Sequence, residues 1–582
     1  RPVIILTILL LVALWPAPTS LAVAPCSVPG THASVQAALD DTNCDPVNVA
    51  AGTFNENLVV SRSVTIVGAG SSSTTIDGLG NTQPAIALED ATARTVSIRD
   101  LTVTGGGTLN GGGMRVTTAA HELDMSGVVF TGNHGGNGGA LFVGDGSNVR
   151  MTGGAVRDND SNSHAGGIMY AFGGDLTLID VAVDGNDATD VAGAINFDGD
   201  ELTITGGSVS GNTAGTEAGA LYISNSTSVT ITGTVIRGNE APTNGGFHMF
   251  LTPVTLDGVV IDDNTATSGN QGGGRIESAS ISIRDSAITN NTASGGNNGG
   301  LALLDGDPAT MSSSTVSGNQ ATGGSGGLYI DGVSFTGTNL TISNNVADSD
   351  GGGATGNGGG VNFDSPGGIL RNTILFGNRD GSPGAEAPDC AGVAMSEGSN
   401  FIGTLTGCGL TPHSTDRIGV DPMLLPLADN GGATLTHALA PGSPAVDAAN
   451  PAFAPPTDQR GILRNPDSGA YELVFCKKVP VNEIGTEGND VLTGGNEVNG
   501  VLALGGNDTV RTGGGKDEVC AGAGKDKVNG GGGKDRLFGE AGKDKLTGGG
   551  GKDTLNGGGG KDSCNGGGGN DKGKACEKER KI

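Results

Sequence analysis

From residue 490 to residue 571 an oxygen-bearing side chain returns at every ninth position: Asp490, Asn499, Asp508, Asp517, Asp526, Asp535, Asp544, Asp553, Asp562 and Asp571. Two positions later comes an apolar residue, Leu492, Val501, Val510, Val519, Val528, Leu537, Leu546 or Leu555, with Cys564 next and Gly573 ending the series. The residues between are rich in glycine, as in GGGGKDRLFGEAGKDKLTGGGGKDTLNGGGGKDSC over 530–564. A flexible linker accounts for the glycine but not for the apolar beat. Gly is 109 of the 582 residues, yet no G-X-Y period exists, which excludes a collagen helix.

A longer period occupies the body. Between residues 125 and 378 an apolar residue is followed three positions later by asparagine: Phe130/Asn133, Val156/Asn159, Val183/Asn186, Val209/Asn212, Ile236/Asn239, Ile261/Asn264, Ile288/Asn291, Val316/Asn319, Ile342/Asn345 and Leu375/Asn378. Successive asparagines lie 25 to 28 residues apart, with 33 at the last step. Small pairs opening apolar runs, such as GGALFV, AGAINF and AGALYI, follow most of them, and segments such as DLTLIDVAV and SVTITGTVI alternate with strand period. One such unit cannot bury its apolar face alone, so the pattern predicts a stacked solenoid with about three short strands in each coil. Stacking at ~4.8 Å pairs every strand edge with the next coil. An asparagine at the same bend in each coil can bond the coils above and below as a ladder. A β-sandwich with frequent turns does not explain so steady an interval.

Composition bears on compartment and partners. The opening RPVIILTILLLVALWPAPTSLAVAPCS carries one Arg, an apolar run from Val3 to Trp15 and small residues before Val23, which predicts a secretory signal over residues 1–22. The run is shorter than the ~20 residues of a membrane span. Export makes the eight cysteines disulfide candidates, paired by proximity as Cys26/Cys44, Cys390/Cys408, Cys476/Cys520 and Cys564/Cys576. No C-x-x-C or Cys/His cluster speaks for a metal instead. Residues 1–475 hold no Lys and 15 Arg against 45 acids, whereas residues 476–582 hold 14 Lys and 3 Arg against 16 acids. The acidic body argues against nucleic acid and anionic membranes as partners. The break in composition places a boundary at Cys476.

Four resemblances add to this reading. The front, THASVQAALDD followed by VNVAAGTFNENLVVSRSVTIVGAGSSSTTIDG, predicts a capping helix with Val35, Ala38 and Leu39 inward and then the first coils; it resembles the opening of right-handed parallel β-helix proteins, the architecture shared with pectate lyases. The Asn and Gly-Gly-Ala repeats also resemble those of polymorphic outer-membrane proteins. Residues 372–475, with NTILFGN, IGVDPMLLPLADNGGATLTHALAPGSPAVDAAN, TDQRG and SGAYEL, resemble the choice-of-anchor Q module that ends bacterial surface β-helices. The nine-residue motif is G-G-x-G-x-D-x-U-x and resembles the calcium-binding nonapeptide of RTX proteins. That resemblance implies a parallel β-roll with two nonapeptides per turn, in which Asp490, Asp508, Asp517, Asp526, Asp535, Asp544, Asp553, Asp562 and Asp571 hold Ca²⁺ together with loop carbonyls. The implied organisation is signal 1–22, β-helix 23–371, anchor-Q-like end 372–475 and β-roll 476–582. The repeats depart from the family pattern: six loops read GKD in place of GND, Asn499 replaces an aspartate, and export signalling is N-terminal.

The architecture invites an enzyme, but the residues supply no cluster for one. No Lys precedes residue 477, and no NTD, GHG or RIK segment occurs. The seven His are dispersed, with His134 and His164 read as solvated loop residues, Asp262-Asp263 as a solvated turn, and Asp160, Asp187 and Glu240 as an acidic surface stripe. The reading therefore favours a secreted, calcium-binding, non-catalytic rod of the cell surface or extracellular matrix, adhesin-like, with glycans or proteins as candidate partners. The alternative is a polysaccharide lyase or glycoside hydrolase on the β-helix.

Overall fold

The computed structural model describes residues 24–581 except 279, 306–307, 353–356, 385 and 487; the signal-like segment 1–22 lies outside the described residues. The chain winds first as a parallel β-helix and then as a parallel β-roll. One coil shows the unit: strands Ile195–Asp198, Glu201–Thr205 and Ser208–Ser210, then the two-residue strand Thr213–Ala214. The expected three strands are thus four. The additional one directly follows the ladder asparagine and is too short to register as an alternating run.

The coils stack in register. Ile168, Ile195 and Leu221 form one column, Leu176, Leu202 and Val229 a second, and Val183, Val209 and Ile236 a third. Side chains alternate across each strand, so these columns all face inward. They merge into one core that runs from Cys26 to Leu410. The small pairs close the coil at its tightest corner. A Cβ on Gly193 would lie 2.3 Å from the carbonyl oxygen of Gly219 in the next coil, so that backbone approach needs glycine.

The front of the core is covered by helix Val35–Asp40, whose buried Val35, Ala38 and Leu39 seal the first coil. Its ends are matched electrostatically. The Ser34 side chain accepts from Ala37 N, and the Glu56 carboxylate accepts from Val35 N and Gln36 N, both at 2.9 Å. Arg62 donates to the carbonyls of Leu39, Asp41 and Cys44 at the other end. An acid at the amino end and a guanidinium at the carboxyl end complement the helix dipole and satisfy its terminal groups. The Cys26–Cys44 disulfide holds the helix against the first strands.

At the back the coils continue through Phe401–Ile402 and Arg417–Ile418, and Cys390–Cys408 ties them. Residues 424–475 then fold back along the outside of the body instead of adding coils. Ile374 and Phe401 on that outer face pack with Ala438, Leu439, Ala445, Tyr471 and Leu473. Thr315 donates to Gln459, Ser317 bonds His437 and Thr434 donates to the Asp285 carbonyl, at 2.7, 2.8 and 3.2 Å. The TDQRG and SGAYEL segments meet in a buried ionic cluster. Arg460 pairs with Asp458 at 2.6 Å and lies 3.7 Å over the Tyr471 ring, and Arg464 lies 3.8 Å from Glu472. Burial, reinforced by the neighbouring Glu472 charge, pushes Asp467 up to about 7. Among the described residues no helix is long and apolar enough to cross a membrane.

Candidate metal centre

In the roll, Val501, Val519, Leu537 and Leu555 stack in one sheet, and Leu492, Val510, Val528, Leu546 and Cys564 in the facing one. Each step is 18 residues, so two nonapeptides make one turn. The resulting core is two facing files of valine, leucine and alanine with Cys564 at one end. Cys476–Cys520 joins the roll to the end of the body, and Cys564–Cys576 closes its last turn.

The aspartates form a second file. Their Oδ1 atoms accept from the backbone N–H one turn earlier: Asp490 N donates to Asp508, Asp508 N to Asp526 and Asp526 N to Asp544, at 2.8, 2.8 and 3.0 Å. Asp517, Asp535, Asp553 and Asp571 repeat this on the other edge. The Oδ2 atoms differ. In Asp508, Asp517, Asp526, Asp535, Asp544, Asp553, Asp562 and Asp571 Oδ2 is buried and has no partner. A carboxylate oxygen withdrawn from water in this way requires a proton or a cation. Burial accordingly raises Asp508, Asp526 and Asp553, and pushes Asp535 and Asp544 up to about 6, with neighbouring aspartates adding to the effect.

From Asp535 to Asp571 a backbone oxygen lies beside this Oδ2 atom. A Cβ on Gly548 would lie 2.4 Å from Asp553 Oδ2 and 2.6 Å from the Gly566 carbonyl oxygen. On Gly539 it would meet the Gly557 carbonyl oxygen at 2.5 Å and Asp544 Oδ2 at 2.6 Å. In these later repeats carboxylate and carbonyl therefore converge on a space that glycine leaves open, whereas Ala503, Thr512 and Ala521 hold the same position before Asp508, Asp517 and Asp526. An all-oxygen donor set of this kind suits a hard divalent cation such as Ca²⁺ over a thiophilic one.

Three positions in the series stand apart. Asp490 has its Oδ2 engaged by Thr486 N and Oγ1, at 2.6 and 3.0 Å. Asn499 leaves nothing unpaired on its amide nitrogen, which donates to the carbonyls of Glu497 and Thr512. Asp562 takes its N–H partner from Glu577 instead of a further repeat. The lysines of the GKD loops, Lys516, Lys525, Lys534, Lys543, Lys552 and Lys561, are all exposed, while the aspartate beside each is buried.

In the body several side chains are less isolated than their sequence positions suggest. Asp262 is 7% exposed, accepts from Thr289 and Asn290 and pairs with Arg237, so it is no solvated turn. His134 bonds Asp160 and Asn162 of the next coil, and His164 lies 3.5 Å from Asp190. His248 sits between Glu217 and Glu277 at 2.7 and 3.4 Å. All join residues about one coil apart, a distance that local motif reading does not span. A Cys/His group absent from the sequence pattern also forms: Cys26, His32, Asp41 and Cys44 converge in the cap. Their sulfurs are joined in the disulfide, which leaves no thiolate to bind a metal.

Residues 484–510, 502–537, 512–546 and 538–572 match the family model of the RTX calcium-binding nonapeptide repeat, in four copies. Comparison with curated proteins gives no match. Among solved structures, the Azotobacter vinelandii mannuronan C-5 epimerase AlgE6 A-module aligns over 66% of this chain and 93% of its own, with 14% identity and a TM-score of 0.26. The PL6 family alginate lyase AlyGC aligns over 90% and 69%, with 11% identity and a TM-score of 0.26. The N-terminal fragment of bacteriophage Phi29 gene product 12 aligns over 90% and 87%, with 12% identity and a TM-score of 0.25. Likeness at these scores assigns neither substrate nor activity. The glycine-rich C-terminal region of this chain is a set of RTX repeats, and such repeats are calcium-binding.

Proposed function

We propose that the protein is a secreted, non-catalytic rod of the cell surface or extracellular matrix whose C-terminal roll is held together by Ca²⁺. The observation that carries this reading is the file of eight buried carboxylate oxygens without partners. In it, Asp508, Asp517, Asp526, Asp535, Asp544, Asp553, Asp562 and Asp571 are the ligand aspartates, each offering Oδ2, with a loop carbonyl beside it from Asp535 onward. Asp490 contributes least, because Thr486 already holds its Oδ2. Calcium supplies the charge that these oxygens lack and bridges successive turns. The thin core of two facing files is too small to order the roll alone, so metal binding becomes folding energy. The signal-like residues 1–22, the four disulfides and the anchor-Q-like segment 372–475 support a location outside the cell.

Calorimetry of the full chain tests the proposal. With Ca²⁺ at 100 times its dissociation constant each independent site adds about 2.7 kcal/mol to the folded roll. Excess chelator should abolish the unfolding transition of the roll, or lower it by well over 10 °C, and leave that of the body in place. A roll that melts at the same temperature with and without chelator would refute it.

A further inference from the structure

Among the described residues of the body, buried side-chain atoms without a hydrogen-bond partner are few, and two amide oxygens among them, Asn244 Oδ1 and Asn298 Oδ1, lie near one another with His248 and Arg275, whose ring and guanidinium nitrogens rest against the Glu277 carboxylate. They lie along the outer face where Tyr222, His248, Arg275, Ala302 and Tyr329 stack in one register column. A cavity of about 430 Å³ opens on this face, lined by Gln271, Arg275, Asn298, Tyr329, Asp331 and Asp364. That volume is within the range of small-ligand sites. Asn298 is 4% exposed, and its free amide oxygen belongs to the cavity wall.

The backbone shows that these amides are not required by the fold. The same left-handed position is held in successive coils by Ala165, Ala192 and Ala218 and then by Asn244, Gln271 and Asn298, with φ of 54, 60, 58, 52, 58 and 69°. The conformation stays constant while the side chain changes from methyl to amide at Asn244, one coil before the cavity, whose wall then holds Gln271 and Asn298. A methyl serves the coil with no polar group to satisfy, whereas a buried, unpaired amide is costly until something bonds it.

The lining also sets the charge of the partner. Arg275 is its one cationic side chain and is held by Glu277, whereas Asp305, Asp331 and Asp364 all face the cavity. Tyr329 donates to Asp364 Oδ2 at 3.1 Å, which fixes a half-buried ring in the wall. Amides that meet hydroxyls, carboxylates that meet cations and an aromatic face suit a sugar chain with positive charge and repel a polyuronate. We infer that this groove binds an extended glycan bearing free amino groups. The inference does not depend on the calcium reading.

The test is calorimetric titration of the full, calcium-replete chain with a glucosamine hexamer at physiological ionic strength. One site per chain is expected, with a mannuronate hexamer bound at least tenfold more weakly. Asp331→Asn and Asp364→Asn, both near-isosteric, should each weaken the glucosamine hexamer tenfold or more without moving the unfolding temperature of the body. No heat with the hexamer, equal binding of the uronate, or affinity unchanged in both variants would overturn the inference. The last result would indicate general adsorption to the acidic surface.

Discussion

The body and the roll each run a polar side chain through a dry interior, one as an amide and the other as a carboxylate. In the body Asn186 Nδ2 donates to Asn212 Oδ1 and to the Val156 carbonyl, and Asn212 Nδ2 donates onward to Asn239, all at 2.9 Å. Each amide is donor and acceptor at once, so the ladder completes itself. It starts at Gly106 N and ends on Asp389, whose two oxygens accept from Asn378 and Thr404. In the roll Oδ1 does the same work toward the previous turn, but a carboxylate has no hydrogen to pass on, and Oδ2 is left over. Each ladder contains one member of the other kind. Asp389 fits the amide ladder only as its terminus, and Asn499 fits the carboxylate ladder without an orphan. An amide ladder completes its own hydrogen bonds; on the function proposed above, a carboxylate ladder makes folding conditional on a cation.

Exchanging the chemistry within the body should have the largest effect. Asn212→Asp puts a carboxylate oxygen where Nδ2 now donates to the Val183 carbonyl and to Asn239 Oδ1, both at 2.9 Å. These two donor bonds, and a third to the Ser210 carbonyl at 3.1 Å, are lost to repulsion in a region with no adjacent cation, and the expected loss is about 3–5 kcal/mol. Chemical denaturation of the full chain in chelator, with the body followed separately, measures it. A loss under about 1 kcal/mol would mean that the ladder does not stabilise the solenoid.

The reciprocal exchange in the roll is smaller and opposite in sign. Asp535→Asn gives that position the donor Asn499 already uses, so the metal-free roll should gain about 1–3 kcal/mol while calcium binding weakens. The pH dependence follows from the same group. With Asp535 and Asp544 pushed up to about 6 in the folded state, against about 3.9 in an unfolded chain, the folded metal-free roll binds protons more readily. Their contribution, about 2–3 kcal/mol each, is present below about pH 4 and lost as pH rises through about 6. Calcium reverses the trend, because it competes with those protons and binds more tightly as pH rises. Far-ultraviolet dichroism of the chelated chain between pH 4 and 8 checks the direction. A metal-free roll more stable at pH 8 than at pH 4 contradicts it, and Asp535→Asn should flatten the curve.

Much of this architecture was legible because it repeats. The apolar/Asn pairs from Phe130/Asn133 to Leu375/Asn378 form two stacked columns, and the nine-residue beat marks the roll and its acidic file. Outside the periods, less was legible. The strand Thr213–Ala214 is too short to alternate. The back-folding of residues 424–475 depends on outward residues, Ile374 and Phe401, whose partners lie tens of residues away. The cluster around His248 is built one residue per coil, so its members stand about 26–31 residues apart with nothing local to join them. A register column written out from the period would have brought Tyr222, His248 and Arg275 together. Whether Asp490 is available could not be read in this way either, because Thr486 closes it through a contact within its own loop.

The smallest effect expected concerns the GKD loops, where the ammonium groups stand next to the proposed ligand aspartates in sequence. In the fold the two side chains part: Asp535 is fully buried and Lys534 is exposed. Between an exposed charge and a buried site, water and salt screen most of the repulsion, so one lysine should alter calcium affinity by roughly twofold to threefold, or under ~1 kcal/mol. Lys534→Asn, which restores the GND form, should therefore tighten calcium only slightly at physiological salt and somewhat more at low salt. Calcium titrations of the two proteins at both ionic strengths measure the difference. A tenfold or larger gain that persists in high salt would place the lysine charge inside the ion's coordination sphere, and the separation of buried acid from exposed base would then be the wrong description of the roll.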